Sequence, residues 1–220
     1  MQRIAFIICG SLLLSNSAFG EENLTRFAHA SSSDWQTKAF VGETLYNIVD
    51  KDNQTVLKAT SHSSASGLIY EQKIDLQKTP YLNWQWLIEN RLGPIDERSK
   101  SGDDYVARVY VVIDGGLALW KTKALTYVWS SNQSKGQVWD NAFAGDAVKM
   151  IAVRGKDAQT NTWYTEKRNV YRDLIAQFGD QGSEEANLKK YRYIDATVIM
   201  TDTDNAGGSA TAYYSDMIFK

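Results

Sequence analysis

Apolar and polar residues alternate along most of this chain, and this two-residue period constrains the fold more than any other sequence feature. Leu82, Trp84, Trp86 and Ile88 share one face of a predicted strand, and polar residues occupy the opposite face. Successive side chains of a strand point to opposite faces, so the pattern is typical of a half-buried strand. Similar runs predict strands over residues 43–49, 55–61, 67–76, 125–129, 148–153, 193–201 and 210–219.

Two segments depart from simple alternation. Tyr105–Ile113 is apolar on both faces and predicts a central strand. Further on, Asn169 can cap a helix, and Val170, Leu174 and Phe178 then fall on one apolar stripe before a glycine. The sequence therefore predicts an all-β, two-sheet antiparallel sandwich, most simply a jelly roll, with one short helix near residues 169–178.

The first twenty residues predict a secretory signal peptide. Arg3 supplies positive charge, the apolar run Ile4–Leu14 follows, and small residues precede a cleavage site after Gly20. The run is shorter than the roughly 20 residues that a membrane span needs. We therefore expect a periplasmic or secreted monomer without membrane insertion, folded as a single β-sandwich domain over residues 21–220.

Composition excludes several classes of function. Cys9 is the one cysteine and lies in the predicted leader, so we expect neither a disulfide nor a thiolate metal site in the exported chain. Two histidines are too few for a histidine-rich metal site, and a formal net charge of −2 offers no basic surface for nucleic acid.

Acidic residues cluster in two predicted loops. Asp103 and Asp104 precede the central strand, and Asp202, Asp204 and Asn205 lie in a hairpin. Oxygen donors at alternate positions are typical of the start of a calcium loop, but a tyrosine replaces the bidentate glutamate of an EF-hand. An Asp/Asn/Gly turn is the simpler interpretation, so we expect no cofactor, with calcium at this hairpin as the alternative.

Arg108 lies among apolar residues on the predicted central strand. A buried guanidinium needs a carboxylate partner, because an isolated buried charge costs several kcal/mol. We expect that partner to come from another strand, with Glu89, Asp195, Asp202 and Asp216 as candidates, since the acids just before Arg108 are too near in sequence to fold back. The residue either fixes strand register or binds a carboxylate or sugar hydroxyls in a cleft.

Aromatic residues are abundant, with seven tryptophans and twelve tyrosines. Trp84 and Trp86 share a face with aliphatic residues, which favours a place in the core. Trp120, Trp139 and Trp163 lie among polar residues in loops or at strand ends, which favours exposed contacts.

Several long motifs carry a resemblance to a known family. They are Ser64–Leu68, Trp84–Trp86, Lys100–Val112, Tyr127–Ser130, Glu166–Asp173 and Met200–Asn205. Over roughly residues 27–219, the chain resembles a bacterial family of exported proteins known as domain of unknown function 3047. The resemblance implies a single domain and supplies no catalytic residues.

We hypothesise that the protein binds a carbohydrate or another envelope glycan in a groove edged by aromatics. The predicted ligand-binding residues are Asp103, Asp104, Arg108, Trp120, Trp163, Asp202, Asp204 and Asn205. No catalytic or metal-binding residue is predicted. One alternative is a glycan hydrolase or lyase that pairs an aspartate from each acidic loop. The other is an envelope interaction protein with no small ligand.

Overall fold

The computed structural model describes residues 20–28, 35–115 and 122–220. The predicted leader lies outside these residues, apart from Gly20. Over the described residues, the chain forms two seven-stranded sheets and two helices. This confirms the mainly β, two-sheet sandwich that the alternation predicts.

Sheet A holds both ends of the described chain. Its strands, in spatial order, are β1 (Glu22–Asn23), β14 (Ile218–Phe219), β6 (Tyr81–Ile88), β13 (Ser209–Tyr214), β4 (Gln54–His62) and β3 (Leu45–Lys51), and β11 (Tyr164–Asn169) also pairs with β6.

Sheet B carries the longer central strands. Its strands, in spatial order, are β2 (Gln36–Val41), β5 (Ala65–Asp75), β12 (Tyr193–Asp202), β7 (Ala107–Ile113), β8 (Lys123–Trp129), β10 (Gly145–Arg154) and β9 (Val138–Asn141). The segment predicted as a central strand is central, because β7 lies between β12 and β8. One pair, β8 with β10, is parallel, whereas the other pairs between described strands are antiparallel.

Aromatic rings fill the space between the sheets. The Trp86 ring centroid lies 5.4 Å from that of Trp84 and 5.7 Å from that of Trp129. Tyr127 and Tyr214 extend the cluster from opposite sheets. Trp84 and Trp86 are buried, so the prediction that they belong to the core is confirmed. Each such ring removes about 150–250 Å² from water, which makes this cluster a large part of the core.

Both helices begin at side-chain caps. The α1 helix (Val170–Phe178) follows Asn169, whose Oδ1 accepts a hydrogen bond from the Arg172 amide at 3.0 Å. The sequence predicts this helix but not α2 (Glu184–Tyr191), which Ser183 caps. Glutamates in the first turn of α2 and lysines in its last turn suit the helix dipole. Within the described chain, no helix has the length and apolar character to cross a membrane.

A buried glutamate anchors the long connection between β6 and β7. The Glu97 carboxylate accepts hydrogen bonds from the Ser130 hydroxyl, from the Ser131 amide at 2.7 Å and from the Asn132 amide at 3.3 Å. Tyr105 donates its hydroxyl proton to the Glu97 carbonyl at 3.0 Å. Burial raises the pKa of Glu97 despite these donors. The connection that leads into β7 is therefore tied to the end of β8.

Trp86→Ala tests the aromatic core. We expect a loss of about 3–5 kcal/mol in the free energy of unfolding, because the substitution leaves a large cavity. It also removes the hydrogen bond that the Trp86 indole donates to Glu166. Urea denaturation measures the loss, with Trp163→Ala, which removes a half-buried ring, as the control. Equal losses in the two variants would contradict this account of the core.

Glu97→Gln tests the buried carboxylate through pH. A raised pKa means that the folded state holds its proton more tightly than the unfolded state does. The contribution of Glu97 to stability therefore falls as pH rises from its unfolded pKa of about 4.3 through its folded pKa. We expect urea denaturation to show a smaller fall between pH 4 and pH 7 in Glu97→Gln than in the wild type. The exposed control Glu71→Gln should keep the wild-type dependence of unfolding free energy on pH. The same dependence in Glu97→Gln as in the wild type would contradict this prediction.

Candidate functional site

A groove of about 460 Å³ crosses the outer face of sheet B. Alternation along β7 and β12 creates this face. Val109 and Ile199 point into the core, whereas Arg108 and Met200, one position away, line the groove side by side in register. The two-residue period that builds the core therefore also builds the groove.

The floor of the groove is apolar, and two exposed aromatic rings belong to its lining. Phe40 on β2 is 59% exposed, and Phe143 in the β9–β10 loop is 57% exposed. Gly67 keeps the floor low, because a Cβ atom there would lie 3.0 Å from Val198 Cγ1 and 3.9 Å from the Phe40 ring. Large apolar rings left open beside a concave surface are typical of binding sites.

The two acidic loops predicted from the sequence meet at one end of this groove. The Asp202 amide donates to the Tyr105 carbonyl at 3.1 Å, which continues the pairing of β12 with β7 into both loops. Asp104 then accepts hydrogen bonds from the amides of Asn205 at 3.0 Å and Ala206 at 2.6 Å. The Asp104 carboxylate thus holds the turn that follows β12.

Arg108 lies at the centre of this polar end. Its Nη2 donates to Asp202 Oδ2 at 2.6 Å, so one of the four expected acids is the partner. Its Nη1 lies 3.8 Å from Asp103 Oδ2. The expectation that acids just before Arg108 are too near to reach it is therefore wrong for Asp103. The chain bends there, after the 3-10 turn Lys100–Gly102, before β7 begins.

Arg108 lies at a cross-strand ion pair and also lines the groove. The residue is 5% exposed and pairs across strands β7 and β12, yet it also lines the groove. Its guanidinium carbon lies 5.1 Å from the Tyr105 ring centroid and 5.4 Å from that of Tyr110. Asn141 holds Asp103 from the other side, with Nδ2 at 3.1 and 3.0 Å from the two carboxylate oxygens. Hydrogen bonds and ion pairs within the protein therefore hold the side chains at this polar end.

Burial and mutual repulsion govern the charges of this cluster. Burial raises the pKa of Asp202 well above its ordinary value, and Asp104 and Asp103 raise it further against the effect of Arg108. Burial also raises the pKa values of Asp103 and Asp204. Burial alone would lower the pKa of Arg108, but Asp202 and its other neighbours raise it, so the guanidinium stays charged.

Three of the acids bring carboxylate oxygens close together. One carboxylate oxygen from each of Asp104, Asp202 and Asp204 lies within 4.8 Å of the other two. Asp104 and Asp202 are fully buried, and Asp204 is partly exposed and lines the groove. Carboxylate oxygens are the ligands that hard divalent cations prefer.

Neither Trp163 nor Trp139 lines the groove. Trp163 packs against Tyr213 of sheet A and donates its indole N–H to Asp52 at 2.8 Å. Trp139 is only 8% exposed and stacks on Tyr105, so the expectation of an exposed contact is wrong for this residue. Trp120 lies outside the described residues. The polar set Asp103, Arg108, Asp204 and Asn205 does line the groove.

Other lining residues carry no sequence signal of their own. Lys38 and Phe40 lie on an edge strand that the alternation does not identify, and Asn141 and Phe143 lie around a short hairpin. Tyr110 lies within the apolar run of β7, and its sequence context indicates only a buried strand position. Only the pairing of distant strands brings these five side chains to one surface.

Comparisons with known proteins give one family and several similar solved structures. A search of the curated proteins found no match. The chain is similar to the family 11 carbohydrate-binding module of the cellulosomal cellulase Lic26A-Cel5E of Clostridium thermocellum, at 10% identity and a TM-score of 0.49, over 92% of this chain and 95% of that one. It is also similar to the xyloglucanase domain of NopAA, a type three effector from Sinorhizobium fredii, in complex with cellobiose, at 11% identity and a TM-score of 0.46, over 94% and 100% of the two chains.

A family model gives the assignment of the chain itself. It matches residues 33–218, nearly all of the sandwich, including both acidic loops and Arg108. The chain belongs to the family described as "Protein of unknown function (DUF3047)".

Proposed function

We propose that the groove on sheet B binds a segment of a glycan. One observation carries the proposal: exposed aromatic rings and an apolar floor lie beside polar side chains that are already fixed by hydrogen bonds. The volume of about 460 Å³ falls in the range of about 300–1,000 Å³ that small-ligand sites occupy.

The chemistry of the lining suits a sugar. A sugar ring has apolar C–H faces, which pack on aromatic rings such as Phe40 and Phe143, and hydroxyl groups at its edge. Those hydroxyls can donate to Asp204 and exchange hydrogen bonds with the amide of Asn205, both of which line the groove. Because Asn205 is already held against Asp104, little side-chain freedom is lost when a ligand binds.

Burial of the acids favours binding over hydrolysis. Glycoside hydrolysis needs two carboxyl groups that reach the scissile bond from either side. Asp104 and Asp202 have no exposed surface, and Asp103 is 5% exposed with both oxygens bonded to Asn141. Asp204 is the one acid of the cluster that keeps partial exposure. A concave groove with fixed polar groups also fits a small ligand better than it fits the flat surface of a protein partner.

Export remains a prediction from the leader, and it forms part of this proposal. If residues 1–20 direct secretion, the protein meets its ligand in the periplasm or outside the cell, as a single domain that begins at Glu21. Envelope and capsular glycans are then the natural ligands to test.

Phe40→Ala and Phe143→Ala test the groove. The wild-type protein is first screened on an array of cell-wall and capsular glycans, with and without calcium, and calorimetry then measures the affinity for each hit. We expect each substitution to weaken binding at least about tenfold, equivalent to about 1.4 kcal/mol, because a stacking surface is lost. Leu45→Ala is the matched control, since Leu45 is 57% exposed on β3 of sheet A, outside the groove.

Two results would overturn the proposal. The first is no binding of the wild type to any glycan under either condition. The second is glycan binding that Leu45→Ala weakens as much as Phe40→Ala does. Release of new reducing ends from a bound glycan would instead identify the hydrolase alternative.

A further inference from the structure

We infer that Asp104, Asp202 and Asp204 form a site for one Ca²⁺ ion at the polar end of the groove. This goes beyond glycan binding, because the ion needs no ligand in the groove. Four observations carry it: the spacing of the carboxylates, the unbalanced charge, an orphan buried oxygen, and the hydrogen bonds that orient the ligands.

The spacing of the three carboxylates fits one ion. Calcium holds its oxygen ligands at about 2.3–2.6 Å, so two ligands of the same ion are at most about 5 Å apart. Oxygens of Asp104, Asp202 and Asp204 all lie within 4.8 Å of one another. The separations are therefore compatible with one ion shared by all three acids.

The charge of the cluster is not balanced by the protein. Among the described residues, the ion pairs of this cluster are those of Arg108 with Asp202 and with Asp103. Neither Asp104 nor Asp204 forms an ion pair in the described part of the chain. One guanidinium thus faces four carboxyl groups, two of which are fully buried. Buried charges require a counter-charge or a metal, and a divalent cation supplies two positive charges at this point.

An unpartnered oxygen points to a missing ligand. Arg108 bonds to Oδ2 of Asp202, while Oδ1 is buried and has no hydrogen-bond partner among the described residues. Asp202 itself is 0% exposed and belongs to the three-acid set. Buried polar atoms are almost always satisfied, and an exception calls for a specific explanation. A cation held by Asp202 would give Oδ1 the partner that the protein does not supply.

Hydrogen bonds already orient the acids. Amides of Asn205 and Ala206 donate to the two oxygens of Asp104, and Arg108 orients Asp202. Ligating carboxylates commonly accept such bonds from a second layer of groups, which fixes their direction. The donor set is all oxygen and holds neither histidine nor cysteine, which selects a hard cation. Calcium suits it better than magnesium, which requires ligands at about 2.0–2.1 Å and retains several waters.

Asp204→Asn tests the site with the smallest risk to folding, because Asp204 is the least buried of the three acids. The protein, expressed as residues 21–220 and treated with chelator, is titrated with CaCl₂ in a calorimeter, with no glycan present. We expect one ion per wild-type chain, a melting temperature that rises with calcium, and at least about a tenfold weaker affinity in Asp204→Asn. Asp157→Asn, which removes the same charge from an exposed loop, should bind calcium as the wild type does.

The inference is overturned if the wild type takes up no calcium at millimolar concentration, or if Asp204→Asn binds it as tightly as Asp157→Asn. Should Asp204→Asn fail to fold, a wild-type crystal soaked in Tb³⁺ decides. An anomalous peak among the three carboxylates supports the site, and its absence overturns it. Because no glycan enters these experiments, their outcome is independent of the glycan screen.

Discussion

The buried contact between Arg108 and Asp202 is the interaction on which the arrangement of the groove's polar end depends. It joins β7 to β12 in the middle of sheet B, and Asp103 adds a second carboxylate from the loop that leads into β7. Because an unpaired buried charge costs several kcal/mol, the strands and loops that supply these groups are held in one arrangement. The rigid polar end of the groove follows from that arrangement.

Sheet B serves two purposes through one pattern. Its inner face supplies Tyr127 and Trp129 to the aromatic core, and its outer face carries the groove. The core gives the sheet the stability to hold exposed rings such as Phe40 and a set of acids close together on its other face. Binding residues on strands are positioned more firmly than residues on loops alone. The proposed glycan groove and the proposed calcium site therefore lie together on one face of a sheet that the core stabilises.

Local patterns predicted the parts of the structure that depend on nearby residues. Alternation predicts the sandwich, and the cap at Asn169 predicts α1. The cap at Ser183 before α2 is equally local, but the sequence analysis does not identify it. The parallel pairing of β8 with β10 leaves no local trace, since it is set by how distant strands meet. The same reason explains why the acids were found but Phe40 and Phe143 were not: their significance arises only when β2 and the β9–β10 loop reach one groove.

A double-mutant cycle on the buried pair tests this account most directly. Unfolding free energies of Arg108→Met, Asp202→Leu and the double variant are measured in urea with chelator present. The account predicts a loss of about 3–5 kcal/mol for Arg108→Met, a smaller loss for the double variant, and a much smaller one for Arg192→Met, whose partner Asp75 lies nearer the solvent. If Arg108→Met is no less stable than Arg192→Met, the buried pair does not organise the site and the account is wrong.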